Sequence, residues 1–202
     1  MENDPHSAGL VLPQDFTFGE TEADRLKLDC GHTLGPVTIR YETYGKLDAK
    51  GQNAILIEHA LSGDAHLAGY YSDVDRKPGW WDNMVGPGKP FDTDKYFIVC
   101  SNVLGGCSGS TGPQSINPAT CKSYSMDFPV ITVADMVRAQ LRLMKHLGVP
   151  KWLSIAGGSM GGMQAIQWAV DYPDLMESVM PIATTARISA QAISFNWVGR
   201  QA

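Results

Sequence analysis

The sequence has 202 residues, 44% hydrophobic and 18% charged, a globular composition that leaves no case for disorder and suits one sizeable core. Its formal net charge of −5, with no basic stripe, argues against nucleic acid as a partner. No apolar run approaches the length that crosses a bilayer, so no membrane partner is expected, and the polar start Met1 to Pro13 lacks the pattern of a signal peptide.

Short apolar stretches at residues 10–18 and 26–29 predict strands, and the alternating, β-branched run Val37 to Tyr44 predicts another. Ala54-Ile55-Leu56-Ile57-Glu58, Tyr96 to Cys100 and Trp152 to Ala156 are compact apolar runs of the kind found in buried parallel strands. Ser178 to Ile182 is a weaker fourth. Thr132 and Asp135 have capping-box spacing and open a predicted helix to Leu147, stopped by Gly148 and Pro150. Its expected apolar face is Val133, Met136, Val137, Leu141, Met144 and Leu147. A second helix is predicted from Met160 to about Val170. Strands and helices alternating with long crossovers predict an α/β fold, a mostly parallel sheet with helices on both faces. Residues 62–93 and 101–131 fit no regular element, and loops of that length tend to be functional.

Cys30, Cys100, Cys107 and Cys121 form no Cys-x-x-Cys pair, so neither a disulfide framework nor a zinc site is expected, and reduced cysteines suit a cytoplasmic protein. Cys100 reads as a small core residue.

The chemistry concentrates at Gly157-Gly158-Ser159-Met160-Gly161-Gly162, directly behind a predicted strand and ahead of a predicted helix. The bare Gly-x-Ser-x-Gly pattern is weak, but strand, sharp turn and helix together describe a nucleophile elbow, which lifts a serine hydroxyl above the sheet of an α/β-hydrolase. Small neighbours are expected because the serine backbone is strained and crowded. An acylated Ser159 needs donors for its oxyanion. The Met160 N–H is one, and the Leu61 N–H, in His59-Ala60-Leu61-Ser62-Gly63 after an earlier buried strand, is the second expected donor. A serine nucleophile also needs a base, and this fold orders serine, acid, histidine. The five histidines, His6, His32, His59, His66 and His146, all precede Ser159. His59 and His66 stand in the wrong order and read as local structure, while Asp171, Asp174 and Glu177 follow the serine too closely and read as solvated surface.

Several segments in order resemble the homoserine O-acetyltransferases of methionine biosynthesis, an acyltransferase family of the α/β-hydrolase superfamily. They are His59 to Gly63, Lys77 to Asp82, Gly86 to Lys89, Ser101 to Cys107, Gly109 to Pro113, Ser115 to Pro118, Gly157 to Met163, Ile188 to Gln191 and Gly199 to Ala202. The resemblance implies a two-step transfer. Ser159 takes the acetyl group of acetyl-CoA, and L-homoserine takes it from the serine, with a histidine backed by an aspartate as base and then acid. Acetyl-CoA then enters as a substrate, with no cofactor expected. The resemblance also implies a cytoplasmic homodimer with a helical lid. Cys121 and Ser125 stand where that family has glycines, and Trp197 where it has an acidic residue.

Residues 1–202 are therefore expected to form the N-terminal, nucleophile-bearing part of a single hydrolase domain, a fragment whose lid and catalytic Asp and His lie outside this chain. Alone, it is expected to be inactive, with an unfinished sheet that favours aggregation. Three alternatives stay open: homoserine or serine O-succinyltransferase on the same scaffold, a serine esterase, and a non-catalytic hydrolase-fold module.

Overall fold

The computed structural model describes residues 4–201. Its centre is a six-stranded sheet of β1 (Gln14–Phe18), β2 (Val37–Tyr44), β3 (Ala54–Glu58), β4 (Phe97–Ser101), β5 (Ser154–Gly158) and β6 (Val179–Ile182). The order across the sheet is β1-β2-β4-β3-β5-β6. β1 and β2 are antiparallel, as are β2 and β4, and the remaining pairings are parallel. The apolar run of β3 is buried at every position because β4 and β5 flank it and both its faces are covered. β5 begins at Ser154, two residues later than expected, because Trp152 and Leu153 serve the bridge to Met176 and a bond to Ala54.

Helix α1 (Val133–His146) starts as its sequence predicts. The Thr132 side chain accepts from Asp135 N at 3.2 Å, and Asp135 Oδ2 accepts from Thr132 N at 2.9 Å. Gly148, at φ 66°, provides the left-handed residue just past its end. The buried stripe differs from the expected one. Asp135, Val137, Ala139, Gln140, Leu143 and Met144 are buried, while Val133, Met136, Leu141 and Leu147 are only partly covered. Gln140 turns the face inward because its amide has polar partners inside the protein.

Helix α2 (Met160–Asp171) lies beside α1, and both pack on one face of the sheet against Ile39, Leu56, Val99 and Ile155. The opposite face, including Ile55, Ile57, Ile98 and Ala156, is covered by Val11, Leu67, Ala68, Val85 and Phe91. Among the described residues that cover is loop and a pair of two-residue strands holding Val85 and Phe91, so helix is supplied to one face only. Residues 62–93 and 101–131 hold only two-residue strands and a short 3-10 turn, as their composition predicts. Helix α3 (Ala190–Gln201) was not expected, and none of its residues is buried.

Candidate active site

β5 passes into α2 through Ser159 alone, which sits at φ 54° and ψ −117°. A non-glycine residue there carries strain on the order of 1–3 kcal/mol and persists only where its surroundings hold it. Here they do. Ser159 N donates to Ile182 O at 3.0 Å, and Ser159 O accepts from Thr184 Oγ1 at 2.7 Å and from Met163 N at 3.1 Å. The serine is exposed, at the carboxyl ends of the parallel strands where ligands bind in such sheets.

The crowding expected around the serine is real, but uneven. A Cβ on Gly157 would lie 2.4 Å from Gly161 backbone, and one on Gly161 2.1 Å from Glu58 O. One on Gly162 would lie 2.5 Å from the Thr184 side chain. Gly158 is different, since its Cβ would meet nothing nearer than Ile182 O at 4.0 Å. Close approach is therefore needed at Gly157, Gly161 and Gly162, and not at Gly158.

That approach presses the first turn of α2 onto the end of β3, where the loop carrying Leu61 begins. Gly63 N donates to Ala60 O at 2.9 Å, closing a turn around Leu61, a residue 81% exposed. Met160 is the first residue of α2. Among the described residues neither the Leu61 nor the Met160 N–H has an intramolecular acceptor, so both donors are free for a ligand.

His59 locks this loop. Its ring is buried, with Nδ1 2.7 Å from Ala60 O and Nε2 3.2 Å from Val103 N and 3.3 Å from Asn102 Nδ2. Nε2 must accept from the Val103 N–H, so Nδ1 carries the proton and donates to Ala60 O. Burial pushes the imidazole pKa down, which suits this neutral form. With both nitrogens occupied, His59 ties the loops after β3 and β4 together and is not a base. His66 is committed elsewhere, with Nδ1 3.2 Å from the buried carboxylate of Glu42 and its ring stacked 3.9 Å from that of Tyr71. Burial pulls the His66 pKa down, but the bond to Glu42 and the charges of Glu42, Asp64 and Asp75 outweigh it and the net shift is up. Asp171, Asp174 and Glu177 are exposed. No group of three or more His, Cys, Asp or Glu side chains that could hold a metal occurs among the described residues. Cys100 is buried, and Cys30, Cys107 and Cys121 are exposed free thiols.

One set of polar residues escaped the sequence reading. Glu58 closes β3 with its side chain fully buried, and Gln140 Nε2 donates to its Oε2 at 2.7 Å and to Gln164 Oε1 at 2.9 Å. Trp168 Nε1 donates to Gln140 Oε1 at 2.9 Å. Burial pushes the Glu58 carboxyl up to about 8, against the opposing bond from Gln140. The available signal was a charged residue ending an otherwise apolar strand, and a glutamine spaced with Val137 and Met144.

Comparison with known proteins agrees with this geometry. A family model described as alpha/beta hydrolase fold matches residues 53–200. A homoserine O-acetyltransferase of Carboxydothermus hydrogenoformans is 58% identical over 196 residues, covering 97% of this chain and 50% of that protein. A homoserine O-succinyltransferase of Halothiobacillus neapolitanus is 54% identical over 196 residues, with 97% and 48% covered. Among solved structures, homoserine O-acetyltransferase from Bacillus anthracis aligns with a TM-score of 0.84 at 38% identity, covering 90% of this chain and 48% of that one. Esterase E22 aligns with a TM-score of 0.84 at 35% identity, with 94% and 52% covered. The chain spans about half the length of the curated relatives it matches. An elbow serine on a mostly parallel sheet, and a family match over residues 53–200, lead to one statement: the chain belongs to the alpha/beta hydrolase fold family.

Proposed function

We propose that this chain supplies the nucleophile of an acyltransferase that moves an acetyl group from acetyl-CoA to the hydroxyl of L-homoserine, a step of methionine biosynthesis. The observation that carries the reading is Ser159 itself, exposed, strained and braced on three sides at the head of α2. Its hydroxyl oxygen attacks the thioester carbonyl, the carbon–sulfur bond breaks, and CoA leaves as the thiol. The homoserine hydroxyl then attacks the acetyl-serine and regenerates the free serine. The Met160 and Leu61 N–H groups hold the oxyanion formed in each half-reaction, each donor contributing a factor of about 10²–10³. The similarity to proteins named homoserine O-acetyltransferase supports acetyl-CoA and L-homoserine as the substrates. The proposal extends to a cytoplasmic homodimer that uses no cofactor.

The test is mass spectrometry after incubation with acetyl-CoA, on a fusion that continues this chain with the second half of the Carboxydothermus hydrogenoformans relative. An acetyl group is expected on Ser159, discharged by homoserine and not by serine or water. Discharge by water would favour the esterase reading, to which the likeness to esterase E22 gives weight. Labelling by succinyl-CoA in place of acetyl-CoA would favour the reading suggested by the Halothiobacillus neapolitanus relative.

A further inference from the structure

Glu58 is a buried carboxyl group placed under the elbow, and the two-step transfer gives it no part. It is the last residue of β3, paired in register with Gly157, two residues before Ser159. Strand spacing of about 4.8 Å and a rise of about 3.3 Å per residue put the Glu58 and Ser159 backbones roughly 8 Å apart. Contact is also direct, since a Cβ on Gly157 would lie 2.8 Å from Glu58 Cβ and one on Gly161 2.1 Å from Glu58 O. The carboxyl group has one partner, Gln140 Nε2, while Oε1 has none among the described residues.

The groups facing it are uncharged: Gln140 from α1, Gln164 and Trp168 from α2, and Gly157 from β5. The titratable neighbours are also neutral. Burial pushes the Cys100 thiol on β4 well up, and burial pushes the adjoining His59 down. Among the described residues no cation balances a carboxylate here, and a buried unpaired charge acts at long range through a low dielectric.

We propose that Glu58 is an electrostatic gate on the elbow: it serves as a neutral carboxylic acid beneath Ser159, and loss of its proton weakens the capture of an oxyanion at that serine. The proposal rests on the reading of Ser159 as an acylated nucleophile. Even with the two charges about 12 Å apart, a few Å beyond the backbone spacing, an effective dielectric constant of about 20 leaves them opposed by a factor of about ten. Glu58 is a positioning residue in this scheme, since it touches no substrate.

The probe is phenylboronic acid, whose tetrahedral adduct with a serine carries the negative charge of an oxyanion. The Ser159 Oγ–boron bond forms, no bond to boron breaks, and the serine proton passes to buffer. Affinity is compared between the fusion described above and its Glu58→Gln variant, because the ratio cancels the probe's own titration. The ratio is expected near one at about pH 6.5, with the parent about tenfold weaker at about pH 9.5. Infrared spectroscopy is expected to show a protonated-carboxyl band in the parent that is lost over the same range and is missing from Glu58→Gln. A pH-independent ratio, or a parent without that band, overturns the proposal while leaving the Ser159 reading intact. Absence of any Ser159 adduct in both proteins, with the band present, overturns the Ser159 reading and the proposal with it. Should Glu58→Gln fail to fold, Gln140→Leu decides. It removes the bond that favours the ionised form, so the band's midpoint is expected to rise by about one pH unit. An unmoved midpoint overturns the proposal.

Discussion

Ser159 and the pair Cys121 and Ser125 share a positive φ that side chains avoid, at 54°, 55° and 48°. Their surroundings differ. At Ser159, three hydrogen bonds and three tightly packed glycines hold the residue in place. At Cys121 and Ser125, each backbone N–H finds one carbonyl, Asn117 O and Pro113 O, both at 2.8 Å, and Ser125 O accepts a longer bond from Phe128 N at 3.3 Å. Neither exposed side chain makes a hydrogen bond among the described residues. The elbow strain presents a hydroxyl group above a sheet, whereas the loop strain presents exposed side chains that bond to nothing among the described residues. Strain therefore marks function only where the neighbours enforce it and the side chain has somewhere to act.

The largest effect that could break this comparison is at Gly161. Gly161→Ala drives a methyl group into the rigid backbone carbonyl of Glu58 and is expected to cost about 3 kcal/mol or more in denaturant unfolding. A near-neutral result would mean that the elbow is not held as described. Next comes Glu58→Gln. The folded state holds this proton to about pH 8, while the unfolded chain releases it near the ordinary glutamate pKa of 4.5. Stability falls as pH rises through that window, by about 3 kcal/mol at pH 7. Glu58→Gln should therefore be more stable than the parent at neutral pH, with the gap closing as pH falls toward 4.5, read by thermal unfolding at several pH values. A gap that widens in acid would contradict a neutral Glu58.

Smaller effects sharpen the other side. Cys121→Gly and Ser125→Gly relieve a left-handed penalty of about 1–2 kcal/mol against a glycine entropy cost of about 0.5–1, so each should stabilise by up to about 1 kcal/mol. Ser159→Gly should relieve its strain in the same way, yet abolish acetyl labelling in the fusion. Smallest of all, Gly158→Ala is expected to stay within about 0.5 kcal/mol of the parent and to keep Ser159 reactive, because its Cβ would meet only Ile182 O, at an ordinary 4.0 Å.

Local signals in the sequence were strong enough to place the elbow, the capping box at Thr132 and Asp135, and the core of every central strand. Each rests on neighbours within a few residues. Long-range packing decided the rest. Nothing in the sequence around β4 says that it lies between β2 and β3, since that order depends on which apolar runs cover each other. The stripe on α1 was misread at Gln140 because a glutamine counts as polar until Glu58, Gln164 and Trp168 surround it. The free donors at Leu61 and Met160 could be named from the elbow pattern. The lock that holds the Leu61 loop could not, because His59 reaches Val103 across 44 positions of sequence. Helix α3 was missed for the opposite reason: it buries no residue, so no amphipathic stripe marks it.

The His59 lock has a spectroscopic consequence. A buried imidazole with its proton fixed on Nδ1 exchanges that proton slowly, so its N–H resonance should persist in water well above the pH at which exposed histidine signals vanish. One NMR line would then report, without substrate, whether the loops after β3 and β4 are still joined.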